Sequence, residues 1–452
     1  MPTLSRRAVD MIDSRIWHHL ALGVHPACAI AAYKDGELVL DMYGGEIGSG
    51  DGSKVSADTL FSIWSCGKPM AAACLWVLKD RGKVDWDDPV GDIWPGYGIN
   101  GKESTTVRHV LTHQAGVPTT PSEISEMAAA GKADWTTVVA AMEATEAEFE
   151  PGSAIEYHSM TFGFLVAELV QRISGMGFEE FFQSEVAGPL GLVDTTYALD
   201  AEKMPRLARL KSMPDFTDPS LADQGNAQLF KAHPAPGGNG TSTARDLARF
   251  YNALVNDGSV DGEQWLSAET IADVTALHIE GIGPVSGSEY KFGLGLQLAK
   301  EGPGRMGDAP GPRVFGHGGV GTSISWGDPD LKVGVAIITS GMQPDEVNDP
   351  RLQMFSQLVR DALTGCCPIW NRKACFRGFS GSPVIPKRSG LTRRDLPQWA
   401  NGRLSTLMNH HTGYLWLDTA GLRPSGTAVV WGRRIYKDRR PLPNRPIRRF
   451  LA

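Results

Sequence analysis

The 452-residue sequence predicts an α+β fold, in which strands from both ends of the chain form one antiparallel sheet and helices fill the middle. Strand patterns occur in residues 29–45 and return after residue 290. Between them, helical spacing dominates residues 121–198 and recurs in residues 241–255. This order differs from the strand–helix alternation that is typical of parallel sheets.

The individual elements follow from local patterns. Residues 4–22 predict an amphipathic helix, and residues 29–45 predict a hairpin because Asp35-Gly36 is a favoured two-residue turn. Further helices are predicted over residues 71–78, 106–113, 160–173, 241–255 and 352–363. Further strands are predicted over residues 290–298, 314–315, 321–326 and 331–339, with a turn at 328–330 between the last two.

Composition narrows the class of protein. Apolar residues make up 42% of the chain and 12 are Trp, which suits a well-filled core. The chain has no run of about 18 apolar residues, and no apolar signal core follows Arg6-Arg7, so we expect no membrane span and a cytoplasmic location. The odd set of three cysteines before residue 366 also suits a reducing compartment.

The C-terminal part differs in charge from the rest. From Cys366 onward the chain holds 17 Lys and Arg residues against three Asp and Glu, although the formal net charge of the whole is −7. We predict a main domain over residues 1–365, with a helical subdomain at roughly 80–240, and a basic tail over 366–452. The acidic main domain gives no reason to expect a nucleic acid partner. The tail suits poor order, a segment that binds acidic surfaces, or an altered reading frame; we favour poor order without a catalytic role.

The chemistry centres on residues 61–70, where Ser65 and Lys68 stand three residues apart ahead of an apolar helical stretch. Residues i and i+3 of a helix lie on one face, with Cβ atoms roughly 5–6 Å apart. The Lys68 amine can therefore serve as a base for the Ser65 hydroxyl. A second Ser-x-x-Lys, at Ser288 and Lys291, lies in a predicted strand, which points the two side chains to opposite faces.

Two later stretches supply partners for such a pair. Tyr157 follows a Pro-Gly loop and precedes a predicted helix, which places a phenol at a loop–helix junction. His317-Gly318-Gly319 precedes Val320, and glycines there permit close backbone approach to a ligand. Taken singly, Tyr157 also suits the edge of a core, and His317 suits an ordinary loop.

In this order, the three stretches resemble the superfamily of serine β-lactamases and penicillin-binding proteins, and are closest to class VIII esterases. Residues 111–116 and 238–250 are also typical of it. The resemblance covers residues 4–365 and implies a β-lactamase/transpeptidase-like fold. It implies no cofactor.

The resemblance also implies roles for individual residues. Ser65 would be the acylated nucleophile, Lys68 its proton acceptor and Tyr157 the tyrosine of the second motif. His317-Gly318-Gly319 would match the Lys-Thr-Gly strand, and the N–H groups of Ser65 and Val320 would form the oxyanion hole. Burial beside Tyr157 would lower the pKa of Lys68.

Two departures from the β-lactamase pattern favour esters. Ser159 stands where class C enzymes have Asn, and His317 stands where they have Lys, so contacts to a β-lactam side chain and carboxylate are weaker. We therefore predict a serine hydrolase of small-molecule carboxylic esters, acting through an acyl-enzyme on Ser65 with Lys68 and Tyr157 as base and proton relay. β-Lactam hydrolysis, cleavage of D-amino-acid peptides and acyl transfer are alternatives on the same fold. A non-catalytic binding module is the alternative of another class. The oligomeric state stays open.

Competing sites are weaker. His109 and His113 have helical metal spacing, but Val110 stands where a zinc protease has Glu, so we predict no metal site. Cys66 adjoins Ser65 but has no partner at matched spacing, so we do not take it as the nucleophile.

Overall fold

The computed structural model describes residues 4–130 and 132–365, together with two short strand segments near the C-terminus. The strands of these two long ranges are β1 (Ala27–Lys34), β2 (Glu37–Gly45), β3 (Phe61–Ser62), β4 (Lys211–Ser212), β5 (Thr241–Ser242), β6 (Ser259–Val260), β7 (Glu263–Gln264), β8 (Ile279–Ile282), β9 (Glu289–Phe292), β10 (Gln297–Leu298), β11 (Phe315–Gly319), β12 (Ser323–Asp328), β13 (Val333–Thr339) and β14 (Gly341–Met342).

The helices surround the sheet and fill the middle of the chain. They are α1 (Arg6–Ala21), α2 (Lys68–Asp80), α3 (Val90–Ile93), α4 (Val107–Leu111), α5 (Ser122–Ala129), α6 (Trp135–Ala144), α7 (Thr161–Ser174), α8 (Phe178–Phe182), α9 (Gly188–Leu190), α10 (Ser220–Asn226), α11 (Gln228–Ala232), α12 (Ala244–Val255), α13 (Ala268–Val274) and α14 (Asp345–Thr364).

The main sheet has eight strands in the order β2-β1-β13-β12-β11-β10-β9-β8. Every neighbouring pair is antiparallel. The N-terminal β1 pairs with the late β13 from Cys28 opposite Thr339 to Lys34 opposite Val333. The predicted α+β class, with a sheet built from both ends of the chain, is therefore confirmed.

The N-terminal hairpin forms as its turn residues predict. Asp35 and Gly36 lie between β1 and β2 with φ of 51° and 87°. A two-residue hairpin turn with both central residues in this region matches the right-handed twist of the paired strands. The turn therefore sets the register of the outermost hairpin.

Two hydrophobic cores lie on opposite faces of the sheet. Along β1, Cys28 and Ile30 belong to the core shared with α1 and α14, whereas Ala29 and Ala31 belong to the core shared with α2, α7 and α12. This alternation is the two-residue period of a strand. On the α12 side, a Cβ on Gly334 would lie 2.3 Å from the Asn252 nitrogen, so only glycine fits this contact.

One predicted strand is wrong in its extent. Residues 290–298 form two short strands, β9 and β10, because the backbone between them leaves the sheet. Leu294 donates its N–H to Val274 O at 3.0 Å, and Gly295, with φ of 85°, donates to Leu111 O at 2.8 Å. These bonds to α13 and α4 replace the ladder, and alternation along the chain alone gives no sign of them.

The chain divides into two compact units, Met1–Arg377 and Gly378–Ala452. In the second, Leu407–Met408 pairs antiparallel with Leu415–Trp416. The rest of the predicted basic tail lies outside the described residues, and the domain boundary at residue 365 stays a prediction. Within the described residues, every helix is too short or too polar to cross a lipid bilayer.

Helix α7 packs against a loop through a pair of glycines. A Cβ on Gly163 would lie 1.9 Å from the nitrogen of Gly237 and 2.7 Å from its Cα. The helix therefore accepts the lower intrinsic helix propensity of glycine in exchange for close backbone contact with residues 236–238.

We expect Gly163→Ala to lower the free energy of unfolding by about 1–3 kcal/mol, because the forced shift of residues 236–238 outweighs the gain in helix propensity. Urea unfolding measures this difference. Gly304→Ala is the matched control, since its added methyl group meets open space and should change stability by less than about 0.5 kcal/mol. Equal stability of the Gly163 variant and the wild type would mean that the loop yields without cost.

Candidate active site

Ser65 lies in a 3₁₀ turn, Trp64–Gly67, immediately before α2. In a 3₁₀ helix side chains at i and i+3 lie above one another, so Ser65 and Lys68 share a side even though the serine precedes the α-helix. The turn begins with Trp64 at φ of 50°, an uncommon conformation for a residue with a side chain. Ile63 donates its N–H to Gly240 O at 3.0 Å, which ties the turn to β5.

The Lys68 amine is completely buried among oxygen atoms. Its Nζ donates to Ser65 Oγ at 3.1 Å, to Ser159 O at 2.6 Å and to Gly237 O at 2.5 Å. None of the ion pairs formed by the described residues includes Lys68. Burial without a carboxylate partner lowers the pKa of Lys68 to about 7.

The Tyr157 ring covers this amine. Lys68 Nζ lies 5.0 Å from the ring centroid, and the His113 ring is 4.7 Å from the same ring. Burial raises the pKa of Tyr157 well above its usual range, while the neighbouring Ser65 hydroxyl acts in the opposite direction. At neutral pH the phenol therefore keeps its proton and can donate it.

Strand β11 packs directly on the Ser65 turn. Cys66 Sγ donates to His317 O at 3.0 Å, and a Cβ on Gly319 would lie 2.6 Å from Ile63 O. Pairing with β10 covers only the Phe315–Gly316 part of β11, so the next residues form a strand edge beside the serine. Val320, 39% exposed, follows at the turn after this edge.

The His317 side chain is buried and uncharged. Its Nδ1 lies 2.9 Å from Gly318 O, and its buried Nε2 has no hydrogen-bond partner among the described residues. Burial, and next the charge of Lys68, lower the pKa of His317 to about 3. The ring therefore provides no positive charge to an anionic group of a substrate.

A cation that lies against the strand edge comes from outside the predicted motifs. A Cβ on Gly318 would lie 2.8 Å from Arg305 Nη1, so the guanidinium lies against this glycine. Arg305 Nε donates to Asp349 at 2.5 Å and Nη2 donates to Asp345 at 2.9 Å. Two carboxylates thus offset the charge of this arginine.

Two neutral histidines lie behind Tyr157. His113, at φ of 61°, accepts the His158 N–H on its Nδ1 at 3.0 Å, and His158 Nε2 accepts the Val117 N–H at 3.1 Å. Burial lowers the pKa of both rings. His113 thus binds the backbone that leads into α7. Over the described residues, no group of His, Cys, Asp and Glu side chains could hold a metal ion.

The predicted residues Ser65, Lys68 and Tyr157 lie together. The His317–Gly319 edge packs on the turn that carries Ser65. Ser159 contributes its carbonyl oxygen to Lys68, while its side chain is exposed. Sequence reasoning missed Gly237 O, whose approach to Lys68 depends on the contact with Gly163. It also missed Arg305, for which no local pattern gives a signal.

Comparison with known proteins shows the family of the chain. The sequence profile of the Beta-lactamase family matches residues 12–357. The chain is 33% identical over 341 residues to the protein named Esterase/beta-lactamase LipL of Mycobacterium tuberculosis. The alignment covers 69% of this chain and 76% of that protein.

Solved structures show the same fold. A family VIII carboxylesterase matches with a TM-score of 0.71 and 28% identity, covering 80% of this chain and 99% of that one. A penicillin-binding protein homologue from Caulobacter crescentus matches with a TM-score of 0.68 and 26% identity, covering 79% and 97%. The resemblance predicted from the motifs is thus confirmed, and the chain belongs to the Beta-lactamase family as a serine hydrolase of the β-lactamase fold.

Proposed function

We propose that the protein hydrolyses small-molecule carboxylic esters through an acyl-enzyme on Ser65. The observation that carries the proposal is the 3.1 Å contact between Lys68 Nζ and Ser65 Oγ. Burial lowers the pKa of this amine to about 7. Near neutral pH, part of this amine is unprotonated and can accept the hydroxyl proton. A binding module would have no need for such a base.

In the acylation step, neutral Lys68 takes the proton of Ser65 while Oγ bonds to the ester carbonyl carbon. The carbonyl electrons move onto oxygen, and the N–H groups of Ser65 and Val320 stabilise that oxyanion beside the edge of β11. When the tetrahedral intermediate collapses, the bond to the alkoxy group breaks. The proton passes from Lys68, with the Tyr157 phenol as relay, to the leaving alcohol.

Deacylation repeats these steps with water. A water molecule loses a proton to the same Lys68–Tyr157 pair and attacks the acyl carbon on Ser65. When the second tetrahedral intermediate collapses, the carbonyl re-forms and the bond between the acyl carbon and Ser65 Oγ breaks. The proton held by the Lys68–Tyr157 pair passes to Oγ, and the carboxylic acid leaves. Each group therefore leaves the cycle in its starting protonation state.

The charges around the site favour esters over β-lactams. The carboxylate of a β-lactam needs a cation at the strand edge, but His317 is neutral and Arg305 is offset by Asp345 and Asp349. Ser159, with a short hydroxyl, offers less to an acylamino group than the Asn of class C enzymes. The relative described as a family VIII carboxylesterase agrees with this choice.

β-Lactam hydrolysis is the second candidate, and the name of one relative, Esterase/beta-lactamase, supports it. D-amino-acid peptide cleavage and acyl transfer use the same acyl-enzyme and differ only in the substrate or in the acceptor that replaces water. All of these reactions would take place at Ser65, beside the edge formed by His317, Gly318 and Gly319.

Ser65→Ala is expected to lower turnover of p-nitrophenyl butyrate by at least about 10³-fold, because the nucleophile is lost. Initial rates of nitrophenolate release measure this loss, and intact mass after fluorophosphonate treatment locates the label. Ser288→Ala, in the second Ser-x-x-Lys, is the matched control and should keep wild-type activity. Wild-type turnover by the Ser65 variant would end the proposal.

The pH profile should report Lys68. Only the unprotonated amine accepts a proton, so kcat/KM should rise as pH increases through about 7 and then level off. Lys68→Arg should lower activity at every pH and remove this rise, since a guanidinium stays protonated. Lys231→Met is the control, because burial also lowers the pKa of Lys231 to about 7 while its amine donates to Asn239 O and Gly240 O. If Lys231→Met shifted the rise of kcat/KM with pH while Lys68→Arg kept that rise, Lys68 would not be the base.

The substrate preference can be measured directly. We expect kcat/KM for p-nitrophenyl butyrate to exceed that for a chromogenic cephalosporin by at least about 10²-fold, because the strand edge lacks an available cation. A D-alanyl peptide assayed in parallel should be the poorer substrate as well. A preference for the cephalosporin or the peptide would contradict the assignment to esters and leave the acyl-enzyme on Ser65 in place.

A further inference from the structure

The hairpin formed by β8 and β9 lies at the end of the sheet and reaches the loop that carries Tyr157. β8 is an edge strand that pairs only with β9 in the sheet. At Gly281, an added Cβ would lie 3.2 Å from Ile155 Cγ2, so the hairpin backbone lies against the segment just before Tyr157. On its other side, β9 pairs with β10 where Phe292 lies opposite Gln297.

A single carboxylate joins the tip of the hairpin to that loop. Glu156 is 6% exposed, and its Oε2 accepts the N–H groups of Val285 at 2.9 Å and Ser286 at 3.0 Å. Its Oε1 accepts the Tyr290 hydroxyl at 3.3 Å. The Tyr157 N–H also donates to Oε1 at 3.4 Å. No ion pair among the described residues uses Glu156, so hydrogen bonds compensate its buried charge.

The ionisation state of Glu156 favours the same hydrogen bonds. Burial raises the pKa of Glu156, but the hydrogen bonds from Ser286 and Val285 lower it by more, and the result is a lowered pKa. The carboxylate is therefore ionised at neutral pH. Hydrogen bonds to an ionised acceptor are about twice as strong as those between neutral groups.

The hairpin in turn supports the proposed proton relay. The Tyr290 ring is nearly parallel to the Tyr157 ring, with centroids 6.4 Å apart and planes at 18°, and it stacks on Phe292 at 5.8 Å. Offset aromatic pairs at such separations attract one another. Because Tyr290 also bonds to Glu156, the carboxylate next to Tyr157 fixes the ring that packs on Tyr157.

We propose that Glu156 is a positioning residue, which holds the β8–β9 hairpin against the Tyr157 loop so that Tyr290 fixes the Tyr157 phenol beside Ser65 and Lys68. This inference rests on the proposed role of Tyr157 in ester hydrolysis. It assigns a function to a residue that no motif marks, and it makes the β8–β9 hairpin a support of the proposed catalytic arrangement.

Glu156→Ala should lower kcat for p-nitrophenyl butyrate by about 10–100-fold and leave KM within about threefold, since a misplaced relay slows chemistry more than binding. Glu156→Gln keeps an acceptor for the two N–H groups and should restore kcat to within about fivefold of wild type. Rates are expressed per active site, counted by fluorophosphonate labelling.

Amide hydrogen exchange tests the contact itself. In Glu156→Ala, Val285 and Ser286 should exchange at least about tenfold faster, because their N–H groups lose the carboxylate. Tyr290→Ala should lower kcat to a similar degree while these two amides keep their protection. Glu168→Ala is the control: it removes another buried carboxylate, bonded to Trp135 and Arg172, and should lower stability without changing kcat per active site.

Each outcome decides one part. Faster exchange at Val285 and Ser286 with wild-type kcat would overturn the positioning role, and unchanged exchange would overturn the contact. An equal loss of kcat per active site in Glu168→Ala would mean that the effect is general destabilisation, which also overturns it. Absence of fluorophosphonate labelling in the wild-type protein would instead refute the acyl-enzyme on Ser65, while the exchange measurement would still report on the contact.

Discussion

The burial of the Lys68 amine is the constraint on which the site depends. Transfer of a cation out of water costs several kcal/mol even after relaxation, so the fold must supply oxygen atoms or accept a neutral amine. Here the carbonyls of Ser159 and Gly237 and the Ser65 hydroxyl surround Nζ. The carbonyl of Gly237 reaches Nζ because Gly163 allows α7 to approach residues 236–238. A packing detail between a helix and a loop therefore helps to set the basicity of the site.

Keeping carboxylates away from the amine is equally important. A paired carboxylate would raise the pKa of Lys68 and hold it protonated. The adjoining histidines are neutral, and the negative charge of Glu156, next to Tyr157 in sequence, is directed to the N–H groups of Val285 and Ser286. The surroundings of Lys68 thus keep part of the amine unprotonated near neutral pH.

Local patterns predicted the nucleophile and its neighbours because the serine, the lysine and the glycine-flanked histidine each belong to a motif only a few residues long. The remaining features depend on contacts between distant segments. The 3₁₀ turn at Ser65, the positive φ of His113 and the bond from Gly295 to Leu111 leave no mark in composition or periodicity. Arg305 comes from a loop without a motif, so the sequence alone does not predict the charge balance at the strand edge.

The thiol beside the proposed nucleophile has a consequence for oxidation. Cys66 is fully buried and donates to His317 O, and burial raises its pKa to about 12. Peroxides and alkylating reagents attack the thiolate, which is scarce under these conditions. The turn that carries the proposed nucleophile can therefore stay intact in the presence of oxidants that would inactivate a cysteine enzyme.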